Sequence, residues 1–121
     1  MSARRVLVIE DDEGISNLIK RGLGLKGIEV TVAGDGRAGR TAWESGEHGL
    51  VLLDVMLPGV HGVDLLSERR AAGDETPVIL LTARDEEEIK SRGIEAGAQD
   101  YVSKPFSYAD LLSRVESYLL D

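Results

Sequence analysis

Three short apolar runs constrain the fold of this chain more than any other feature of its sequence. They cover residues 6–9, 50–53 and 78–81, and they consist entirely of valine, leucine and isoleucine. Runs of about four to eight such residues are typical of strands that are covered on both faces in a parallel sheet. Because parallel strands need long crossover connections, the three runs predict helices between them.

The segments between and after these runs show helical periodicity, and glycine or proline lies at most boundaries between the predicted elements. Apolar side chains recur at helical spacing between Ile15 and Leu23 and again between Leu111 and Leu119. The sequence predicts two further strands at residues 28–33 and 101–103, and three further helices around residues 38–42, 63–66 and 86–96. These elements make five strand–helix units in one domain over residues 1–121.

Strict alternation of strands and helices in a short chain predicts an α/β fold. The usual arrangement for five parallel strands is the flavodoxin-like, doubly wound sheet with strand order 2-1-3-4-5 and five helices. In that order the carboxyl ends of the first and third strands are neighbours. Ligands bind at this edge of such sheets, so the residues that follow the strands are the candidate functional residues.

Composition excludes several classes of function. The chain has 14 lysine and arginine residues against 22 aspartate and glutamate residues, and the formal net charge of −8 disfavours direct binding to nucleic acid or to an anionic membrane. It has no cysteine, which excludes disulfides and thiolate metal sites. No apolar run approaches the length of a signal peptide or a membrane span. We expect a cytoplasmic protein in which any contact with nucleic acid would need another domain.

Polar side chains follow four of the five predicted strands. In chain order they are Glu10-Asp11-Asp12, Asp54, Thr82 and Lys104. Each residue taken alone has an ordinary interpretation, such as a helix cap for Asp12 or a turn for Asp54. Three carboxylates within ~5 Å of one another, however, would repel by roughly 3 kcal/mol per pair at an effective dielectric constant near 20. The cluster therefore predicts a bound cation, and oxygen ligands open to water suit Mg²⁺, with Mn²⁺ as a second candidate.

Four motifs together resemble the receiver domains of two-component response regulators, over essentially the whole chain. They are Glu10-Asp11-Asp12, Leu53-Asp54 ahead of Leu57-Pro58-Gly59, Leu81-Thr82-Ala83-Arg84, and Lys104-Pro105-Phe106. Any one of them is a weak signal, whereas their joint order and spacing are specific. The residues of these motifs are most similar to those of the OmpR/PhoB subfamily, whose members usually carry a C-terminal winged-helix DNA-binding domain.

The resemblance implies a role for each polar strand end. Asp54 would accept a phosphoryl group from the phosphohistidine of a sensor histidine kinase, and Lys104 and Thr82 would contact that group. Mg²⁺ would be held by Asp11, Asp12, Asp54 and the backbone carbonyl of Met56. The chain would catalyse its own phosphorylation and dephosphorylation without being a conventional enzyme. A carboxylate that attacks an anionic phosphoryl group needs charge neutralisation, which a metal ion and a lysine supply.

The resemblance also implies a switch. Thr82 would turn toward the new phosphoryl group, Tyr101 would swing inward behind it, and Lys104-Pro105 would form a cis peptide bond. The face made by the fourth helix, the fifth strand and the fifth helix would then form a two-fold homodimer.

Six residues are predicted on that dimer face: Lys90, Ile94, Asp100, Asp110, Leu112 and Arg114. Lys90 would face Asp110 across the axis and Asp100 would face Arg114, while Ile94 and Leu112 would supply the apolar contact. Gln99 stands where relatives often carry an acid, so we expect a weaker dimer than is usual for the family.

One departure and three alternatives qualify this interpretation. His61 stands where relatives often have aspartate, and an imidazole there could alter the docking of the phosphodonor or make that docking sensitive to pH.

A flavodoxin-type cofactor protein is disfavoured because acidic residues 10–13 would repel a phosphate. A haloacid-dehalogenase-like phosphatase normally has a second aspartate where this chain has Met56. A degenerate receiver that binds partners without phosphorylation is the alternative function. Four intact residues argue against it: Asp12, Asp54, Thr82 and Lys104.

Overall fold

A computed structural model describes residues 4–83 and 87–119 of the chain. The strands are β1 (Arg5–Ile9), β2 (Glu29–Ala33), β3 (Leu50–Asp54), β4 (Met56–Leu57), β5 (Val60–His61), β6 (Val78–Ala83) and β7 (Asp100–Lys104). The helices are α1 (Glu13–Gly24), α2 (Gly36–Glu44), α3 (Gly62–Ala71), α4 (Glu87–Ala96) and α5 (Tyr108–Tyr118). Within the described ranges, no helix combines the length and the apolar character that crossing a membrane requires.

The main sheet confirms the predicted fold. Its five strands lie in the order β2-β1-β3-β6-β7 and all pair in parallel, which is the order 2-1-3-4-5 when only these strands are numbered. The predicted strands and helices are present with small shifts at their ends. Residue 86, the predicted start of the fourth helix, and Arg84 of the third motif lie outside the described residues. The short β4–β5 hairpin was not predicted, because two residues per strand leave no periodicity to detect.

The sheet divides the core into two layers. Successive side chains of a strand point to opposite faces, so Leu7 packs in the layer that contains Trp43 of α2, while Val8 packs in the layer that contains Ile19 of α1 and Val115 of α5. The central strands are buried on both faces, and this is why their sequences are continuously apolar rather than alternating.

Four helices begin at the carboxyl edge of the sheet with a side-chain cap. The capping residues are Asp12 for α1, Asp35 for α2, His61 for α3 and Ser107 for α5. Each cap accepts a hydrogen bond from a backbone N–H of the first turn, a group that has no partner within the helix. Helix N-termini carry partial positive charge, so the fold surrounds this edge with a field that favours anions.

Two glycines test how closely the helices pack. A Cβ at Gly39 would lie 2.7 Å from Cγ2 of the buried Ile9, whereas one at Gly24 would meet nothing within 4 Å. We expect Gly39→Ala to lower the free energy of unfolding by about 1–2 kcal/mol through overpacking, and Gly24→Ala to raise it by up to about 1 kcal/mol through helix propensity. Urea unfolding monitored by the fluorescence of Trp43, the single tryptophan, measures both. Shifts of the same sign would contradict the close approach of α2 to β1.

Candidate functional site

The ends of β1, β3 and β7 bring a lysine between two buried carboxylates. Lys104 Nζ lies 2.9 Å from Glu10 Oε1 and 3.3 Å from Asp54 Oδ2. Glu10 is 1% exposed and Asp54 is 3% exposed. Buried charges are tolerated when they are paired and hydrogen-bonded, so this ammonium is the group that allows both carboxylates to sit here. The peptide bond between Lys104 and Pro105 is cis, as the resemblance implied.

Three acids at this edge can present oxygens to one ion. Among the described residues, Glu10, Asp11 and Asp54 each offer a carboxylate oxygen, and these oxygens lie within 4.8 Å of one another. Asp11 is exposed while the other two are buried, so the group opens to water on one side. Hard oxygen donors in a site that leaves room for water suit Mg²⁺, and the residues present therefore fit the predicted ion.

The third acid of this group is Glu10, whereas the carboxylate of Asp12, a predicted metal ligand, is engaged in capping α1. The Asp12 carboxylate accepts a hydrogen bond from the Ile15 N–H at 3.1 Å and caps α1. Glu10 was missed as a site residue. Its backbone N–H donates to the Ala33 carbonyl at 3.0 Å, so the β1–β2 pairing continues one residue past the apolar run and holds this side chain in the interior. The sequence signal that could have identified Glu10 is an acidic residue directly after the apolar run of residues 6–9.

Asp54 is held from a second direction by the backbone that follows it. The Met56 N–H donates to Asp54 Oδ1 at 3.0 Å. The Met56 side chain is 59% exposed, so it is the backbone of this residue that lies against the site. A role for the Met56 carbonyl as a metal ligand stays a prediction.

The pKa values of Glu10 and Lys104 are both raised, for different reasons. Burial raises the pKa of Glu10 to about 7, and the neighbouring Asp54 adds to the shift, while hydrogen bonds from Lys104 and from the Asp12 backbone oppose it. Burial lowers the pKa of Lys104, but its hydrogen bond to Glu10 and the charge of Asp54 outweigh burial and raise it overall. Lys104 therefore remains a cation, and below a pH of about 7 Glu10 carries a proton in the metal-free protein.

Thr82 and Tyr101, the two predicted switch residues, differ in burial. Thr82 follows Leu81, which is opposite Asp54 in the sheet, and it is fully buried. Its hydroxyl has no hydrogen-bond partner within the described residues. Tyr101 is 37% exposed, and Lys90 Nζ lies 5.0 Å from the centre of its ring. The tyrosine is therefore outside the core in this structure.

The charges of the predicted dimer face form ion pairs within the chain. Arg114 contacts both Asp100, at 2.9 Å, and Asp110, at 3.0 Å. Lys90 lies 3.6 Å from Glu87. The predicted contacts across a two-fold axis would have to compete with these pairs.

Leu112 and Gln99 make contacts within the chain that the sequence did not predict. A Cβ at Gly22 of α1 would lie 2.7 Å from Leu112 Cδ1, so Leu112 packs between α5 and α1 rather than beside the exposed Ile94. On α5 the positions of Leu112 and Arg114 differ by two residues, which places them on different faces of the helix. Gln99 Oε1 accepts a hydrogen bond from the Val78 N–H at 2.7 Å. Its departure from the family pattern therefore has a structural reason.

The raised pKa of Glu10 makes a pH prediction for the metal-free protein. Because the folded pKa of about 7 exceeds the ordinary value of 4.5, the folded state binds this proton more tightly than the unfolded state. The associated stability is complete below the ordinary pKa and is lost as the pH rises through the folded pKa. We expect a loss on the order of 2–3 kcal/mol between pH 5 and 8 for the wild type. Glu10→Gln should remove this loss in urea unfolding with chelator present.

Glu13→Gln, an exposed substitution in the first turn of α1, is the matched control. It should retain the pH dependence of the wild type. An equal pH dependence for the wild type and Glu10→Gln would contradict the assignment of the shift to Glu10.

Comparisons with known proteins identify relatives in both sequence and structure. A family model described as the response regulator receiver domain matches residues 6–116. The transcriptional regulatory protein PcoR of Escherichia coli is 38% identical over 116 residues, which are 96% of this chain and 51% of that protein. The chain spans about half the length of the curated relatives it matches.

Two solved structures are similar over almost the whole chain. The receiver domain of the Francisella response regulator 1452 has a TM-score of 0.90 at 36% identity and covers 96% of both chains. The BeF3-activated receiver domain of Klebsiella pneumoniae RstA has a TM-score of 0.87 at 32% identity and covers 97% of this chain and 99% of that one. Because the matched residues include both the parallel sheet and its acidic edge, the chain belongs to the receiver domain family of two-component response regulators, with relatives of the OmpR/PhoB type.

Proposed function

We propose that Asp54 is the phosphoacceptor of this receiver and that a sensor histidine kinase is its phosphodonor. Switching by phosphorylation is the general function of the family. The observation that carries the assignment to Asp54 is its position: a nearly buried carboxylate at the end of β3, held by the Met56 N–H on one oxygen and by Lys104 on the other. Glu10 and Asp54 both pair with Lys104 and both belong to the group that can hold a metal, and of these two acids Asp54 is the one that ends the central strand β3.

The reaction needs little more from the protein than positioning and charge. An Asp54 oxygen forms a bond to phosphorus while the bond from phosphorus to the donor imidazole nitrogen breaks. Glu10, Asp11 and Asp54 would hold Mg²⁺ together with the Met56 carbonyl, and the ion would supply positive charge to the phosphoryl oxygens. Lys104 exchanges its contact with Asp54 for one with a phosphoryl oxygen, and the Thr82 hydroxyl provides a donor that is not otherwise engaged within the described residues.

An apolar hollow beside Lys104 supports a protein as the donor. Its volume is about 370 Å³, and its lining is formed by Ile15, Ala83, Lys104, Pro105, Phe106 and Tyr108. The Phe106 and Tyr108 rings meet edge to face, with their centres 5.1 Å apart. Both rings are half-buried, and the apolar surface that they leave open beside a reacting group favours contact with an apolar side chain of a partner protein. The relatives are named as transcriptional regulators, so contact with DNA would come from an output domain rather than from these residues.

The switch would act through Tyr101 and the α4–β7–α5 face. In this structure Lys90 Nζ lies over the Tyr101 ring, an interaction worth roughly 0.5–1 kcal/mol at an exposed site. Inward movement of Tyr101 would break that contact and free Lys90 to face Asp110 of a second copy. Ile94 would supply apolar contact in the dimer without Leu112, which packs against α1.

The phosphoacceptor assignment is tested by Asp54→Ala. We expect the wild type to take up label from a radiolabelled phosphohistidine donor only with Mg²⁺ present, and Asp54→Ala to take up none. Asp64→Ala, at an exposed position in the first turn of α3, should be labelled like the wild type. Label on Asp54→Ala would contradict the assignment, and an unlabelled wild type would favour the degenerate receiver.

Sedimentation of the same proteins tests the dimer. The wild type should be a monomer when unmodified and should dimerise with beryllofluoride and Mg²⁺, while Asp54→Ala stays monomeric. A wild type that is monomeric in both states at high micromolar concentration would contradict the dimer.

The metal ligands are tested by two neighbouring substitutions. By mass action Mg²⁺ raises the stability of the wild type, because the unfolded chain scatters these carboxylates. We expect Asp11→Ala to abolish the rise in melting temperature with millimolar Mg²⁺. Asp12→Ala should retain most of that rise but lower the metal-free stability by about 1 kcal/mol, because it removes the cap of α1. Loss of the Mg²⁺ effect in Asp12→Ala alone would restore Asp12 as the ligand.

A further inference from the structure

The segment from Asp54 to Gly62 forms a loop whose two ends are in contact. After β3 the chain forms the β4–β5 hairpin, in which Met56 lies opposite His61. The Gly62 N–H then donates to the Val55 carbonyl at 2.8 Å. A Cβ at Gly62 would lie 2.5 Å from the Asp54 carbonyl oxygen, so only glycine permits this approach. Helix α3 therefore begins directly against the backbone of the proposed phosphoacceptor.

His61 is the cap of that helix. Its Nδ1 accepts a hydrogen bond from the Val63 N–H at 3.2 Å, and its backbone is extended, with φ −78° and ψ 133°. A histidine nitrogen can accept only when it carries no proton, so the ring hydrogen is on Nε2. The imidazole thus performs the task for which serine, threonine, aspartate and asparagine are the usual residues.

The hairpin depends on such an anchor. Each of its strands has two residues, and a two-stranded hairpin is marginally stable by itself. Tertiary contacts hold its tip, since Val60 packs against Gly36 of α2. The His61 cap holds its other end, where Met56 pairs.

We propose that His61 is a positioning residue for the metal site. By capping α3 it holds β5 in place, and β5 holds the Met56 backbone beside Asp54. The N–H of Met56 orients the Asp54 carboxylate, and its carbonyl is a proposed Mg²⁺ ligand, so displacement of this one residue affects two parts of the site. The inference rests on the proposed function, because it takes the Met56 carbonyl as a ligand.

Substitution of His61 separates capping from other roles of the ring. His61→Ala should weaken Mg²⁺ binding about five-fold, because the uncapped segment spends part of its time out of the binding geometry. His61→Asn, which can accept the same hydrogen bond, should bind Mg²⁺ within about two-fold of the wild type. Calorimetric titration with Mg²⁺ alone measures the dissociation constants. Amide hydrogen exchange in the metal-free protein should be faster at Gly62 and Val63 in His61→Ala only.

Val115→Ala is the matched control, because it truncates a buried side chain in the core layer on the other face of the sheet. It should lower the stability of the domain and leave the Mg²⁺ dissociation constant unchanged. The inference is overturned if His61→Ala binds Mg²⁺ like the wild type, if His61→Asn fails to restore binding, or if Val115→Ala weakens binding equally. A wild type without Mg²⁺ affinity would instead overturn the proposed function, and this inference with it.

Discussion

The burial of two carboxylates beside one ammonium is the constraint on which the functional edge depends. Glu10 and Asp54 are almost completely buried, and Lys104 contacts both. Removing a carboxylate from water is costly unless the charge is paired and hydrogen-bonded, so the ends of β1, β3 and β7 have to meet at this point. A single lysine leaves an excess of negative charge. A proton on Glu10 and a divalent cation are two ways to relieve it, and only the cation adds a group that can contact a phosphoryl oxygen.

The backbone around Asp54 also helps to hold its buried carboxylate in place. The Met56 N–H contacts the carboxylate directly, and the Gly62 N–H returns the chain to Val55. Capped helix N-termini lie at the same edge and favour negative charge there. Local rules of turn and cap formation therefore act together with the ion pairs. This is the reason a small hairpin of two-residue strands can take part in a site that needs accurate geometry.

Side-chain partners were harder to predict than strands. Both Glu10 and Asp12 follow the same apolar run, and the choice between them depends on where the β1–β2 pairing stops and α1 begins. The sequence placed Leu112 on the predicted dimer face but could not show that it packs against α1. Gln99 was a departure with no visible reason until its contact with the Val78 backbone was seen. In each case the missing information was a contact between segments distant in sequence.

The fold and the edge of the sheet that carries the polar residues could be predicted from the sequence, and so could the location of Asp54, Thr82 and Lys104 at that edge. This was possible because burial on both faces requires continuous apolar runs, and because parallel strands all end on the same side. The three-dimensional structure was needed to show which acids converge, which charges are already paired within the chain, and that His61 caps α3. Those outcomes depend on distances of a few ångströms between side chains from different elements. The spacing of residues along one chain carries no record of them.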